Sequence, residues 1–136
     1  APPEEIEAVV SQAIENGINF FDLCAGGASV YEPFGRAIRG KREKVYFQLH
    51  FGAVYNAAGE YGWSRDLSEI RRTFAWEMTA LGTDHADFGF LHCIDEESDF
   101  EEICATGIFD YVRALRREAR VRPIGCASPP PSLADT

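Results

Sequence analysis

A chain of 136 residues, 46% hydrophobic and 12% aromatic, has the composition of a globular protein, and a single domain over 1–136 is expected. A formal charge of −9, relieved only by the basic stretch RGKREK at 39–44, argues against a nucleic-acid partner. No apolar run nears the roughly 18 residues of a membrane span, and the opening APPEEIEA lacks the basic and apolar regions of a signal peptide, so a cytoplasmic location without a membrane partner is expected.

In chain order, Ile6, Val9, Val10, Ala13 and Ile14 fall at helical spacing and predict a helix over 4–16, closed by Gly17 in the left-handed conformation. INFFD at 18–22 follows as a strand. A short helix is predicted over 32–39, with Pro33 in its first turn, and VYFQL at 45–49 reads as the second strand. HFGAVYNAAGEYGWS reads as a long glycine-bearing loop, after which Asp66 and Glu69 form a D-x-x-E start for a helix striped by Leu67, Ile70, Phe74, Met78 and Leu81 and ended by Gly82.

The third strand is read near 87–91. An acidic connection with room for a helical turn comes next, then a helix marked by Ile108, Tyr111, Val112 and Leu115, and then a fourth strand at 121–126. A proline-rich tail, 129–136, ends the chain. Near-continuous apolar strands alternating with helices predict an α/β protein with a parallel sheet.

In such sheets the groups just past the carboxyl ends of the strands build the site. That rule selects Asp22, His50 and His92, three ionisable side chains at the ends of three strands. Each has a plain alternative: a turn-capping carboxylate for Asp22, a satisfied core histidine for His92, and a space-filling or acid–base imidazole, equally, for His50. Tyr61 and Arg65 could line the substrate pocket from the long loop, or be ordinary exposed loop residues.

Other clusters are weaker. The acidic run Asp95, Glu96, Glu97 and Asp99 lacks fixed ligand spacing and reads as a solvated face, so no metal is expected there. Cys24, Cys93, Cys104 and Cys126 show no CxxC or Cys/His spacing and are read as reduced thiols. Cys24 beside Asp22 is a poor nucleophile, because a neighbouring carboxylate raises a thiol pKa.

The stretches GINFFDLC, GRAIRGKREKVYF, LGTDHADFGFLH and VRPIGCAS, in this order and spacing, resemble the aldo-keto reductases. The resemblance implies a (β/α)8 barrel, of which 136 residues supply about four parallel strands where a whole barrel takes about 250 residues. It also implies an oxidoreductase that moves hydride between NADP(H) and a carbonyl or alcohol substrate through an Asp, Tyr, Lys, His set. The Asp falls on Asp22 and the His on His92. Gly27 stands in the tyrosine slot and His50 in the lysine slot, and the nicotinamide-binding Ser-Asn pair reads Ala127-Ser128, leaving Ser128 as the cofactor-binding residue.

DLC, QLHFG, EYGWSRD, LHCIDEESDF and IGCASPPP resemble more closely a divergent branch fused to a C-terminal ferredoxin-like domain, in which Tyr and Lys are absent as a rule. A 4Fe-4S cluster would follow only if such a domain exists in the parent protein. The barrel half carrying the cofactor's phosphate site is also missing, so open sheet edges predict a homo-oligomer or pairing with that other half.

Two readings follow. The parent would be an oxidoreductase using Asp22, His50 and His92, while the isolated chain, without the usual Tyr and Lys, would be inactive and serve binding or assembly as a pseudoenzyme. A metal-dependent hydrolase with His50, His92 and Asp22 as ligands ranks lower, because no HxH strand pair is present.

Overall fold

A computed structural model describes residues 1–24 and 26–127. Ser128 and the tail 129–136 therefore lie outside the described residues. Four strands, β1 (Phe20–Leu23), β2 (Tyr46–Phe51), β5 (Phe88–Leu91) and β6 (Ile124–Cys126), form a parallel sheet in which each pairs with the next. The four predicted strands are present, each shifted by up to three residues at its start. Asp22 and His50 consequently lie inside β1 and β2, one residue before their ends.

Helix α1 (Pro3–Glu15) precedes β1, and α2 (Tyr31–Ile38), α3 (Leu67–Leu81), α4 (Glu97–Ala105) and α5 (Ile108–Arg117) fill the crossovers. Helix α3 starts where the D-x-x-E pattern places it, the Asp66 carboxylate accepting the Glu69 N–H at 3.1 Å, and stops at Gly82 with φ of 67°. The acidic connection holds more than a helical turn. Asp99 accepts the backbone N–H groups of Asp95 and Glu96, and this capping box opens the nine-residue α4.

One sheet face makes the core. Leu23, Phe47, Leu49, Phe51 and Leu91 pack against Phe34 of α2, Phe74 and Met78 of α3 and Val112 of α5. Strand alternation sends Asp22, Gln48, His50 and Phe90 to the other face, where Phe20 and Tyr46 are exposed. The predicted stripe of α1 does not bury: no residue of that helix is buried, Val9 is 65% exposed, and Val10 and Ile14 only rest against the core edge.

The fifteen-residue loop after β2 is the main correction to the sequence reading. It folds as a hairpin of β3 (Ala53–Tyr55) and β4 (Tyr61–Trp63), which continues the sheet from Phe51 through Gly52. Gly52 has φ of 119°, and a Cβ there would stand 3.2 Å from the His92 Cβ, so only glycine lets the chain turn beside that histidine.

Candidate functional site

Asp22 comes from β1, His50 from β2, His92 follows β5, and Tyr61 is carried in by the β3–β4 hairpin. The structure joins these four in one hydrogen-bonded line. His50 Nε2 lies 2.8 Å from Asp22 Oδ1, His50 Nδ1 lies 3.3 Å from His92 Nδ1, and the Tyr61 hydroxyl meets His92 Nε2. Residues expected separately at strand ends and in a loop are thus one unit.

The carboxylate fixes the direction of the line. An ionised Asp22 only accepts, so His50 carries its proton on Nε2; its bare Nδ1 then accepts from His92 Nδ1–H, and the bare His92 Nε2 accepts from Tyr61. His92 is 7% exposed, and burial, followed by the charges of His50 and Arg65, holds its pKa below the ordinary histidine value. The neutral His92 this line requires is therefore the favoured form near neutral pH. Burial also raises the Tyr61 pKa, with further contributions from Cys24 and Cys93, so the phenol keeps its proton.

Arg65 does not face the mouth. Its Nη1 donates to the His92 carbonyl and its Nη2 to the Cys93 carbonyl, both at 2.8 Å. Cys93 has φ of 54°, and the guanidinium holds the chain in that left-handed turn immediately after His92. Arg65 positions His92, and Tyr61 is the loop residue that reaches the site.

A second line lies beneath. Tyr55 donates to the Cys24 carbonyl at 2.6 Å, and Tyr31 reaches the Tyr55 hydroxyl at 2.6 Å. Glu77 of α3 is buried close to Tyr31, and burial pushes its pKa up to about 8 against a lowering contribution from Tyr31, so this carboxyl favours its protonated form at neutral pH. Tyr55 gives its proton to the Cys24 carbonyl, which leaves its hydroxyl oxygen to accept from Tyr31. Nothing in the sequence pattern announced Glu77, which occupies a core position on the buried stripe of α3. Burial, with help from Asp22, raises the Cys24 thiol to about 11, which removes it as a nucleophile at neutral pH.

A parallel sheet wound in consecutive order, cored by helices on one face and carrying its ionisable groups at the C-terminal strand edge, defines a segment of a (β/α)8 barrel. The Aldo/keto reductase family matches residues 1–135, and the chain belongs to that family.

Solved structures agree on the fold. An aldo-keto reductase from Bacillus halodurans in its holo form superposes with a TM-score of 0.76 at 18% identity, over 98% of this chain and 44% of that one. An aldo/keto reductase from Brucella melitensis gives 0.65 at 22%, over 95% and 46%. One from Klebsiella pneumoniae, in complex with NADP and acetate, gives 0.64 at 20%, over 91% and 39%. The chain thus spans half or less of the length of the structures it matches.

Proposed function

We propose that this chain supplies the substrate end of an aldo/keto reductase-type oxidoreductase acting on an alcohol and carbonyl pair, with Tyr61 in the role that Gly27 cannot fill. The observation that carries the reading is the Tyr61–His92–His50–Asp22 line. A nicotinamide nucleotide, the family's cofactor, would exchange the hydride.

Four of the described arginines are committed to other partners and are not free for its phosphates. Arg65 is turned onto two carbonyls, Arg42 onto Asp87, and Arg71 and Arg120 onto aromatic rings. This chain's own residues would carry the proton transfer. Ser128 remains the expected contact to the nicotinamide.

The polarity of the line sets which proton transfer is ready. With both imidazoles neutral, the Tyr61 proton points at His92, leaving the phenol oxygen to accept the proton of a bound alcohol as its own passes to His92 Nε2. That arrangement suits alcohol oxidation. One further proton on His92 reverses the last bond: Nε2–H then donates to Tyr61, whose hydroxyl is freed to protonate a carbonyl oxygen. Reduction therefore needs a more protonated site than oxidation.

The finer likeness to the ferredoxin-fused branch belongs to the same proposal. In such a parent the exposed Phe20 and Tyr46 face would be covered by the other barrel half, and a 4Fe-4S cluster would sit in the added domain. The scattered cysteines of this chain do not supply it.

The test is NADP(H)-linked turnover with an aromatic aldehyde and its alcohol across pH. Oxidation should rise and reduction fall with pH around a group titrating below the ordinary histidine value, and Tyr61→Phe should lower both by about 100-fold or more. Turnover that ignores Tyr61→Phe would overturn the assignment of the proton donor. Absence of turnover, with no saturable nucleotide binding, would favour the assembly reading.

A further inference from the structure

Two imidazoles and a thiol converge at the end of the sheet in a way that proton transfer does not use. The ligand atoms of Cys24, His50 and His92 all lie within 4.8 Å of one another. They come from three chain segments, after β1, in β2 and after β5, so the backbone of the sheet sets their spacing. Cys24 takes no part in the line through Tyr61, yet the Tyr31–Tyr55 line ends on its carbonyl and holds that residue in place.

We propose that Cys24, His50 and His92 form a binding site for a divalent ion of the zinc type, with His50 and His92 ligating through Nδ1 and Cys24 through its sulfur. The first support is distance. Two nitrogens bound tetrahedrally at about 2.0–2.1 Å from zinc stand about 3.3 Å apart, and the two Nδ1 atoms are separated by 3.3 Å.

The second support is what holds the rings from behind. Asp22 accepts from His50 Nε2, which is the carboxylate–histidine arrangement that fixes a ligating ring and raises its basicity. Tyr61 stands at His92 Nε2 and can accept from that nitrogen when Nδ1 is occupied. Asp22 is thus an orienting group and not a ligand, which separates this site from a His50, His92, Asp22 set.

The donor chemistry narrows the ion. One thiolate with two imidazoles suits zinc and its cobalt substitute and disfavours magnesium and calcium, which take oxygen ligands. Three protein ligands leave the fourth tetrahedral position for water or a substrate oxygen, the pattern of an open site.

Protons balance simply. The Cys24 thiol releases one proton to solvent, while the His92 proton relocates from Nδ1 to Nε2 through solvent exchange. Occupancy takes both Nδ1 atoms out of the proton line, so the metal-bound and relay forms are alternative states of one cluster. The inference is independent of the oxidoreductase reading, and its test does not read turnover.

The experiment is titration of the chelator-stripped protein with Zn²⁺ against a chromogenic chelator, and with Co²⁺ by absorption spectroscopy. One equivalent should bind at micromolar affinity or tighter, and the cobalt form should show intense tetrahedral visible bands with a thiolate-to-cobalt charge-transfer band. Cys24→Ser should abolish that band, and Asp22→Asn should weaken Zn²⁺ by about 10- to 100-fold. Cys104→Ser and Cys126→Ser should change neither.

Should Cys24→Ser fail to fold, the cobalt spectrum of a variant with Cys93, Cys104 and Cys126 all replaced by serine decides. The thiolate-to-cobalt band must persist there at one equivalent of Co²⁺, with Cys24 the one thiol left. Absence of stoichiometric binding, an octahedral cobalt spectrum, a charge-transfer band that survives Cys24→Ser, or loss of that band in the triple-serine variant would each overturn the site.

Discussion

The carbonyl of Gly59 stands 3.2 Å from where a Cβ on Gly27 would lie, and the same carbonyl accepts the Ala28 N–H at 2.9 Å. The turn of the β3–β4 hairpin is therefore seated on the slot where the family resemblance puts a tyrosine. Gly27 and Tyr61 belong to one arrangement: the slot is emptied so that the hairpin can dock, and the docked hairpin brings its own phenol to His92. Gly27 has φ of 84° and ψ of 167°, a region open essentially to glycine alone. Gly27→Ala should cost about 1–3 kcal/mol in urea unfolding. Gly27→Tyr, the substitution that restores the family motif, should lose more stability and should separate Tyr61 from His92 without creating a replacement proton donor.

The direction of the site's hydrogen bonds is itself measurable. Long-range ¹H–¹⁵N correlation spectra near neutral pH should report His50 protonated at Nε2 and His92 at Nδ1. Asp22→Asn can donate where the carboxylate only accepts, which permits the opposite tautomer at His50 and places two N–H groups against each other across the 3.3 Å Nδ1 gap. Mixed tautomers, or loss of the His50–His92 contact, are expected in that variant. An unchanged spectrum would show that Asp22 does not orient the line.

Asp22, His50 and His92 were legible because each stands where a parallel strand delivers side chains to the site, and period-two strand patterns place such positions to within a residue or two. Tyr61 was harder to place. Its neighbours AAGEYG carry turn residues without strand alternation, and β3 and β4 are three residues each, too short to show a period. Arg65 was legible as a cation near the site but not in its direction, which depends on the left-handed Cys93 turn. Burial misled at α1, because a helical stripe shows which face is apolar and not whether anything covers it. Glu77 was invisible for the opposite reason, being a charged residue type that takes a core position and is neutralised by burial.

At the start of β5, remote from the site, Asp87 Oδ2 accepts from the Phe47 N–H at 3.0 Å and pairs with Arg42 Nη2 at 2.9 Å. Groups at the N-terminal ends of barrel strands read as stability devices. Asp87→Ala should cost about 3 kcal/mol, the scale of breaking a buried pair while Arg42 keeps its bonds to Thr83, Val45 and His85. Asp87→Asn can still accept from Phe47 and should cost clearly less. Chemical denaturation measures both, and the histidine tautomers should stay as in the parent, which separates this pair from the site.

Glu77 ties stability to pH. Its pKa is raised from 4.5 to about 8 by burial, so the folded protein holds a proton that the unfolded chain releases near 4.5. The unfolded state binds fewer protons between these values, so stability is fully present below about pH 4.5, falls as pH rises, and levels off above about 8. The loss is on the order of 5 kcal/mol across that window. Glu77→Gln keeps the shape of the side chain but cannot ionise. It should match the parent at pH 5, exceed it at pH 8.5, and flatten the decline in thermal midpoint between them. Parallel pH profiles for the two proteins would show that Glu77 does not stay protonated in the folded state.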